Sequence, residues 1–429
     1  MSTHSSTPQH RDVVIVGGGQ AGLSLSHYLS ERHIGHVVLE KHRALHVWQT
    51  RRWDNFCLVT PNWQCQLPGH AYAGDDPHGF MKKDEINAWL AGFVEKVKPP
   101  LREGVTVQRA VPRPGGGFDI KTTDGDFTAD AVVVASGGYH LPIIPRLAER
   151  LPASVMQLHS EQYRNADALP PGAVLVVGSG QSGAQIAEDL HLAGRKVHLA
   201  VGHAPRCARF YRGKDVVDWL ADMNYYDMPV TDHPLREGVR DNTNHYVTGR
   251  DGGRDIDLRR FALEGMALYG VLQGLENDTL QFAPNLAESL DHADGIYNGI
   301  NASIDKFIAK NGIDAPPGSV YEAVWQPGEE RTSLDFAAAG ITSIVWCIGF
   351  QPDFGYVEAP VFNGRGQPGH LRGVTGQPGL YFLGLPWLHT WGSGRFSGIA
   401  RDALHVAEHI QGLLSAQRVD AAEVSAAFA

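Results

Sequence analysis

The sequence predicts an α/β protein with two Rossmann-like domains, a small antiparallel meander and a mainly helical insertion. Three observations carry the prediction. Two glycine-rich loops of one design begin at positions 17 and 178, Gly17-Gly18-Gly19-Gln20-Ala21-Gly22 and Gly178-Ser179-Gly180-Gln181-Ser182-Gly183. Each follows a short apolar, β-branched run and precedes leucine or isoleucine at helical spacing. Between them lie short strand-like segments separated by Gly, Pro and Asp turns.

The first unit opens with Asp12-Val13-Val14-Ile15-Val16, continues through the loop into a helix marked by Leu23, Leu25 and Leu29, and reaches a second strand, His36-Val37-Val38-Leu39, that ends in Glu40 beside Lys41. In such a βαβ unit Gly17 permits the tight turn, Gly19 admits a pyrophosphate close to the backbone, and Gly22 lets helix and strand pack closely. Gln20 and Ala21 open the helix, whose N-terminal N–H groups face the phosphate, and Glu40 is placed to accept hydrogen bonds from a ribose. This first dinucleotide-binding unit is read as an FAD site.

The second unit has the same framing, Ala173-Val174-Leu175-Val176-Val177 before the loop and Ile186, Leu190 and Leu192 after it. Its second strand ends differently. At the distance past the third glycine where the first unit has Glu40, the second has Val201, followed by Gly202-His203-Ala204-Pro205-Arg206. An arginine at that corner suits the 2′-phosphate of NADPH, because its planar fork pairs with phosphate oxygens. Arg206, Gly178, Ser179, Gly180, Gln181, Ser182 and Gly183 are therefore the expected NADPH contacts.

Bulk composition narrows the alternatives. The chain has 429 residues, 43% hydrophobic and 20% charged, which leaves room for two domains. A net charge of −10 without a long basic run argues against nucleic acid or an anionic membrane as partner. No apolar stretch approaches a membrane span and Met1 to Gln9 lacks the apolar core of a signal peptide, so a cytoplasmic location is expected. Cys57, Cys65, Cys207 and Cys347 show neither CxxC nor zinc spacing, and no HExxH group occurs among the 21 histidines, so no metal site is expected.

Along the chain, the aromatic and basic stretch Trp48 to Asp54, with Trp53 in it, leads to Asn62 and then to a helix around Lys83 to Val97. Val105 to Val107, Gly117 to Ile120 and Phe127 to Ala129 read as the meander. The apolar strands ending at Ser136-Gly137 and at Gly349 stop where the chain can pass close to a bound dinucleotide. Residues 1–165 and 340–429 are assigned to a discontinuous first domain and 166–339 to the second, with the helical insertion at about 203–310, including a helical pattern from Ile256 to Leu275. The insertion covers a substrate pocket or forms a homodimer contact. Near the C-terminus, a strand ending at Gly384-Leu385 and the loop through Thr390 precede a helix through Ile410, and Asp420 to Ala429 reads as a tail.

These features together resemble the class B flavin-dependent monooxygenases and their bacterial flavoprotein relatives, over nearly the whole chain. Arg51-Arg52-Trp53-Asp54 with Leu58, Thr60 and Cys65-Gln66-Leu67-Pro68 is similar to a segment of the plant auxin-forming members. The resemblance implies FAD and NADPH as cofactors, O2 as co-substrate, and Asn62 as the residue beside the flavin that helps hold a flavin hydroperoxide. It also implies flavin-site contacts at Trp48, Trp53, Val107, Ser136, Gly137, Gly349, Gly384, Leu385 and Thr390. Two departures stand out. Of the family fingerprint FxGxxxHxxx(Trp/Tyr) only His159 to Tyr163 is present, with Ala153 and Val155 at the Phe and Gly positions, and Gly384 is followed by leucine rather than aspartate.

Three functional readings follow. The first is an NADPH-dependent monooxygenase inserting one oxygen atom into a small nucleophilic substrate, an amine, a sulfur compound or a 2-oxo acid. The second is an FAD-dependent oxidoreductase passing electrons from NADPH to a quinone or protein acceptor. The third is a redox-sensing protein that binds both dinucleotides and catalyses little. Trp48, Trp53, Trp387 and Trp391 are candidate apolar walls that exclude water.

Overall fold

A computed structural model describes residues 7–427, with 420–427 described only as helix; residues 1–6, part of the polar N-terminal segment, and 428–429 lie outside the described residues. The chain forms a mixed α/β fold around two parallel sheets. In the first, Gln9–Val16 lies between His36–Glu40 and Phe127–Val134, parallel to both. Leu101–Glu103 extends one side and Leu380–Phe382 the other. Val13, Val14, Ile15, Val132 and Val133 are fully buried. Their runs are continuous rather than alternating because both faces of this sheet are covered. Helices Gln20–Glu31, Lys83–Val97 and Ile399–Ala427 supply Leu23, Leu90, Phe93 and Ile410 to one apolar layer. On the other face Val107–Pro112 and Phe118–Thr122 form an antiparallel meander with Phe127–Val134.

The second sheet runs Met156–His159, Ile341–Trp346, Ala173–Val177, Val197–Ala200, Ala267–Tyr269, every pair parallel. Helix Gln181–Leu192 packs Ile186, Ala187 and Leu190 against it. This order corrects the expected division of the chain. Both Met156–His159 and Ile341–Trp346 belong to the second sheet, so the return to the first falls after Gly349 rather than at 340. The register explains why: Ile344 and Val345 sit between Leu175 or Val176 on one side and Gln157 or Leu158 on the other, a fully buried slot for an apolar run. The two segments that cross between the sheets, Leu141–Pro142 and Phe350–Gln351, pair antiparallel to each other.

The 203–310 interval is less helical than expected. Helix Val216–Asp222 and the long helix Leu286–Asn311 are present, but the Ile256 to Leu275 pattern resolves into a short helix, Leu258–Leu263, the edge strand Ala267–Tyr269 and the start of a hairpin, Leu272–Glu276 with Thr279–Phe282. A short apolar run reads alike as helix or buried strand, and here the open edge beside Val197–Ala200 decided it. The expected tail is also a correction, since helix Ile399–Ala427 continues through most of it. Among the described residues no helix is long and apolar enough to cross a membrane.

Candidate functional site

Both glycine loops open onto one cavity of about 1860 Å³ between the sheets. Pockets for one drug-sized ligand run roughly 300–1,000 Å³, so this space holds more than one. Of the first loop, Gly17, Gly19, Gln20 and Ala21 line it, and of the second Gly178, Ser179, Gly180, Gln181 and Ser182.

At their first and last glycines the two loops are built alike. Gly17 has φ +113° and Gly178 φ +100°, and a Cβ on either would stand 2.6 Å from a carbonyl oxygen, that of Ala135 or of Cys347. The third glycines carry the helix over the turn: a Cβ on Gly22 would lie 2.0 Å from the Gly17 oxygen, and one on Gly183 1.9 Å from the Gly178 oxygen. Gly19 differs in kind, because its Cβ would meet nothing within 4 Å and would project into the cleft. Helices Gln20–Glu31 and Gln181–Leu192 have no side-chain N-cap and no acid in the first turn. Their leading N–H groups are left for an anionic ligand. Each loop is also braced by its glutamine: Trp48 Nε1 donates to Gln20 Oε1 at 3.1 Å, and Gln181 Nε2 donates to the Val247 carbonyl at 2.7 Å.

Glu40 stands at the end of its strand with Oε2 accepting from Gly18 N–H at 2.7 Å and Oε1 from His42 N–H at 2.8 Å. The carboxylate faces the cleft beside Lys41 with lone pairs to spare. Val107, Ser136, Gly137, Gly349, Leu385 and Gly384 line the same cavity. Gly384 has φ +81°, and a Cβ there would lie 2.6 Å from that of Ala21, which is how closely the C-terminal strand passes the first loop. Trp48 stacks on Phe396, with ring centroids 4.9 Å apart. Trp53 shows the cleft only an edge and otherwise packs with Tyr163 and Leu190.

Three expected contacts fall elsewhere. Arg206 does not reach the cleft. Its side chain is buried, its Nε donates to Asp294 Oδ1 at 2.8 Å, and its guanidinium lies 4.0 Å and 4.5 Å from the rings of Tyr321 and Tyr297. Asn62 is engaged as a loop clamp, its Nδ2 donating to the Asp76 carbonyl at 2.9 Å and its Oδ1 accepting from Met81 N–H at 2.7 Å. Both ends of its amide are engaged in the loop, and it is not among the residues that line the cleft. Thr390 is buried in a turn where its N–H donates to Ser393 Oγ.

Sequence reasoning passed over the groups that face the cleft instead. Two residues beyond Asn62, on the other side of the turn Asn62–Gln64, Gln64 lines the cavity with both its Oε1 and its Nε2 buried and unpartnered. Ser397 Oγ, next to Phe396, is a second such orphan. Buried amides and hydroxyls are nearly always paired, so these two orphans in the cavity wall mark polar capacity that the fold leaves unused. Arg52 lies 4.8 Å from the Trp48 ring, its pKa pushed down to about 10 by burial, with the Arg51 cation beside it lowering it further. Arg395 lies 3.8 Å from the Trp391 ring, and burial lowers its pKa too. Among the described residues no carboxylate offsets either cation. Only the Arg51-Arg52-Trp53 run hinted at this in the sequence.

The cysteines are free and each thiol pKa is raised by burial, to about 11 for Cys57 and about 12 for Cys65 and Cys207, with Cys347 higher still. Such thiols are poor nucleophiles. His10, Asp12 and Asp130 come together outside the cleft, where Asp12 accepts from Gly35 N–H and His10 meets Thr128.

The pyridine nucleotide-disulphide oxidoreductase family profile matches residues 14–224. An uncharacterized CzcO-like oxidoreductase of Geobacillus kaustophilus is 30% identical over 93% of this chain and 98% of its own length. The chain belongs to the same family of oxidoreductases as this CzcO-like protein. It is an oxidoreductase. A probable indole-3-pyruvate monooxygenase of Arabidopsis thaliana, YUCCA4, is 29% identical over 44% of this chain and 46% of its own. A flavin-containing monooxygenase from Stenotrophomonas maltophilia shares the fold at 20% identity, with a TM-score of 0.64 over 94% of this chain and 99% of that one.

Proposed function

We propose that this protein is an NADPH-dependent flavoprotein monooxygenase, with FAD in the first cradle and NADPH in the second, acting on a small nucleophilic substrate. The observation that carries this reading is that both cradles open onto one cavity, so that a hydride donor and a flavin would share a single cleft. Bound FAD supplies the redox chemistry, taking two electrons from NADPH and activating O2 so that one oxygen atom goes to substrate and the other to water.

The chain's own residues bind, orient and dry the site. The open N–H groups of the first loop hold the FAD diphosphate and Glu40 its ribose, while Trp48 and Phe396 form an apolar floor. Gln64 and Ser397 offer the hydrogen bonds that the sequence assigned to Asn62. The substrate pocket lies under the insertion, where Val216, Val217, Leu220 and Tyr226 line the cleft opposite Trp387 and Trp391. Tyr226 and Trp391 pack at 4.5 Å between centroids, closing that side to water. The high thiol pKa values favour oxygen transfer over relay through a disulfide.

The test is anaerobic mixing with NADPH followed by O2 and a panel of amines, thioethers and 2-oxo acids. Bleaching of the oxidised flavin bands by NADPH, then one oxygenated product per NADPH, is the expected result. Bleaching with quinone reduction but no oxygenated product overturns the reading in favour of electron transfer.

A further inference from the structure

The end of the second strand of each unit is where a Rossmann-type site reads the adenosine ribose. An acid there accepts from a free 2′-hydroxyl, and an arginine nearby holds a 2′-phosphate. In the first unit the acid is Glu40. In the second that position is Val201, which is buried, and the bracing that Glu40 gives its loop is supplied by Ser179, whose Oγ accepts from Gly202 N–H at 3.0 Å. Residues 201–205 at this strand end contain no carboxylate for a 2′-hydroxyl.

The arginines of that corner are turned inward, into buried ion pairs. Arg206 is held by Asp294 between two tyrosine rings. Arg259, equally buried, pairs with Asp291 at 2.5 Å and with the second oxygen of the same Asp294 at 2.8 Å. Both acids come from helix Leu286–Asn311, and that helix reaches the strand end, since His292 meets His203 ring to ring at 6.2 Å. His203 is exposed, lines the cleft, and has no acidic partner among the ion pairs of the described residues. Among the described residues, the stretch of this corner that lines the cleft, Gly202-His203-Ala204, carries neither arginine nor lysine.

We propose that the second cradle does not read the 2′-position, so that NAD and NADP forms occupy it with similar affinity. This rests on the assignment of a nicotinamide dinucleotide to that cradle. A guanidinium fork on a 2′-phosphate makes charge-assisted hydrogen bonds and commonly raises affinity on the order of tenfold or more. Arg206 could supply that only by leaving Asp294 and both rings.

The experiment titrates FAD-loaded protein with NADP+ and with NAD+ in a calorimeter, and repeats both titrations on His203→Arg and Arg206→Met. Dissociation constants for the wild-type protein that differ by less than tenfold are expected. His203→Arg, which adds a cation at the exposed strand end, is expected to tighten NADP+ by about tenfold or more and leave NAD+ unchanged. A wild-type preference for NADP+ above tenfold, or a preference that Arg206→Met abolishes, overturns the proposal, as does a His203→Arg variant with unaltered NADP+ affinity. Binding of neither dinucleotide overturns it together with the assignment of the cradle. Failure to form an oxygenated product leaves the two dissociation constants readable, so the monooxygenase reading and this one fail separately.

Discussion

Gly19 and Gly22 lie in the same turn, yet alanine at each does opposite things. Gly19 has φ −80° and ψ −178°, extended backbone that any residue adopts, and a methyl there touches no protein atom. Alanine at this helix N-cap gives up a few tenths of a kcal/mol to about 1 kcal/mol as a cap, and recovers about 0.4–1 kcal/mol by stiffening the unfolded chain. The apo protein is thus expected to melt within a few degrees of wild type. The methyl instead occupies the surface along which the diphosphate would approach. Each charge-assisted hydrogen bond it displaces costs about 1.5–3 kcal/mol, a roughly ten- to hundredfold rise in the FAD Kd. Gly22→Ala forces a Cβ to 2.0 Å from the Gly17 oxygen and 3.2 Å from Ile15 Cγ2, so the apo fold itself loses about 1–3 kcal/mol or more. The assay is FAD titration of apo protein by flavin fluorescence, with thermal unfolding of both apo variants. If Gly19→Ala holds FAD within threefold of wild type, or Gly22→Ala melts with it, the reasoning about this loop is wrong.

Asn62→Ala is expected to lower stability by about 1–3 kcal/mol, because Met81 N–H is left buried without an acceptor, while coupling of NADPH oxidation to product is unchanged; Gln64→Ala is expected to leave stability intact and release hydrogen peroxide instead of product, a split read by melting and peroxide assays. His198 is buried beside the Tyr269 hydroxyl, at 2.9 Å, and its pKa is pushed down to about 4 by burial. A folded pKa below the unfolded value of about 6.5 means stability is fully present above pH 6.5 and is lost as pH falls toward 4, by up to about 3 kcal/mol, and His198→Gln should flatten urea-unfolding stability across that window. Asp215→Ala removes both the Arg209 ion partner, at 2.6 Å, and the N-cap of helix Val216–Asp222, so a loss of about 3–5 kcal/mol is expected by denaturant unfolding. Arg209 also donates to the Val59 carbonyl at the cleft, so the same variant should weaken binding of substrate more than of FAD.

What was legible in the sequence is what is local. The turn, the close approach and the helix start of each cradle need particular residues within six positions, and those residues announce themselves. Glu40 could be placed because a strand of known length separates it from Gly22. Arg206 could not, because its partner Asp294 is 88 residues on and arrives by way of a helix whose position only the packed second unit decides. Asn62 and Gln64 pose a finer problem. They sit in one short 3-10 turn, and which of two amides faces the cleft depends on whether Asp76 and Met81 fold back over the turn. The strand Ile341–Trp346 falls in the range assigned to the first domain and, like Ala131 to Ala135, is an apolar run ending near glycine, but pairing partners, not composition, assign a strand to its sheet.

Asp189 gathers three donors from distant parts of the chain: Asn55 Nδ2 at 2.8 Å, the Tyr163 hydroxyl at 2.7 Å and an Arg250 terminal nitrogen at 2.7 Å. It stands on the helix that follows the second loop, while Asn55 belongs to the segment after the first unit and Arg250 to the insertion. A chimera that exchanged only the second cradle with that of a relative would cut this junction in three places. Domain shuffling between such proteins therefore has a unit of transfer larger than the cradle itself: positions 55, 163, 189 and 250 must travel as a set, or be rewritten together.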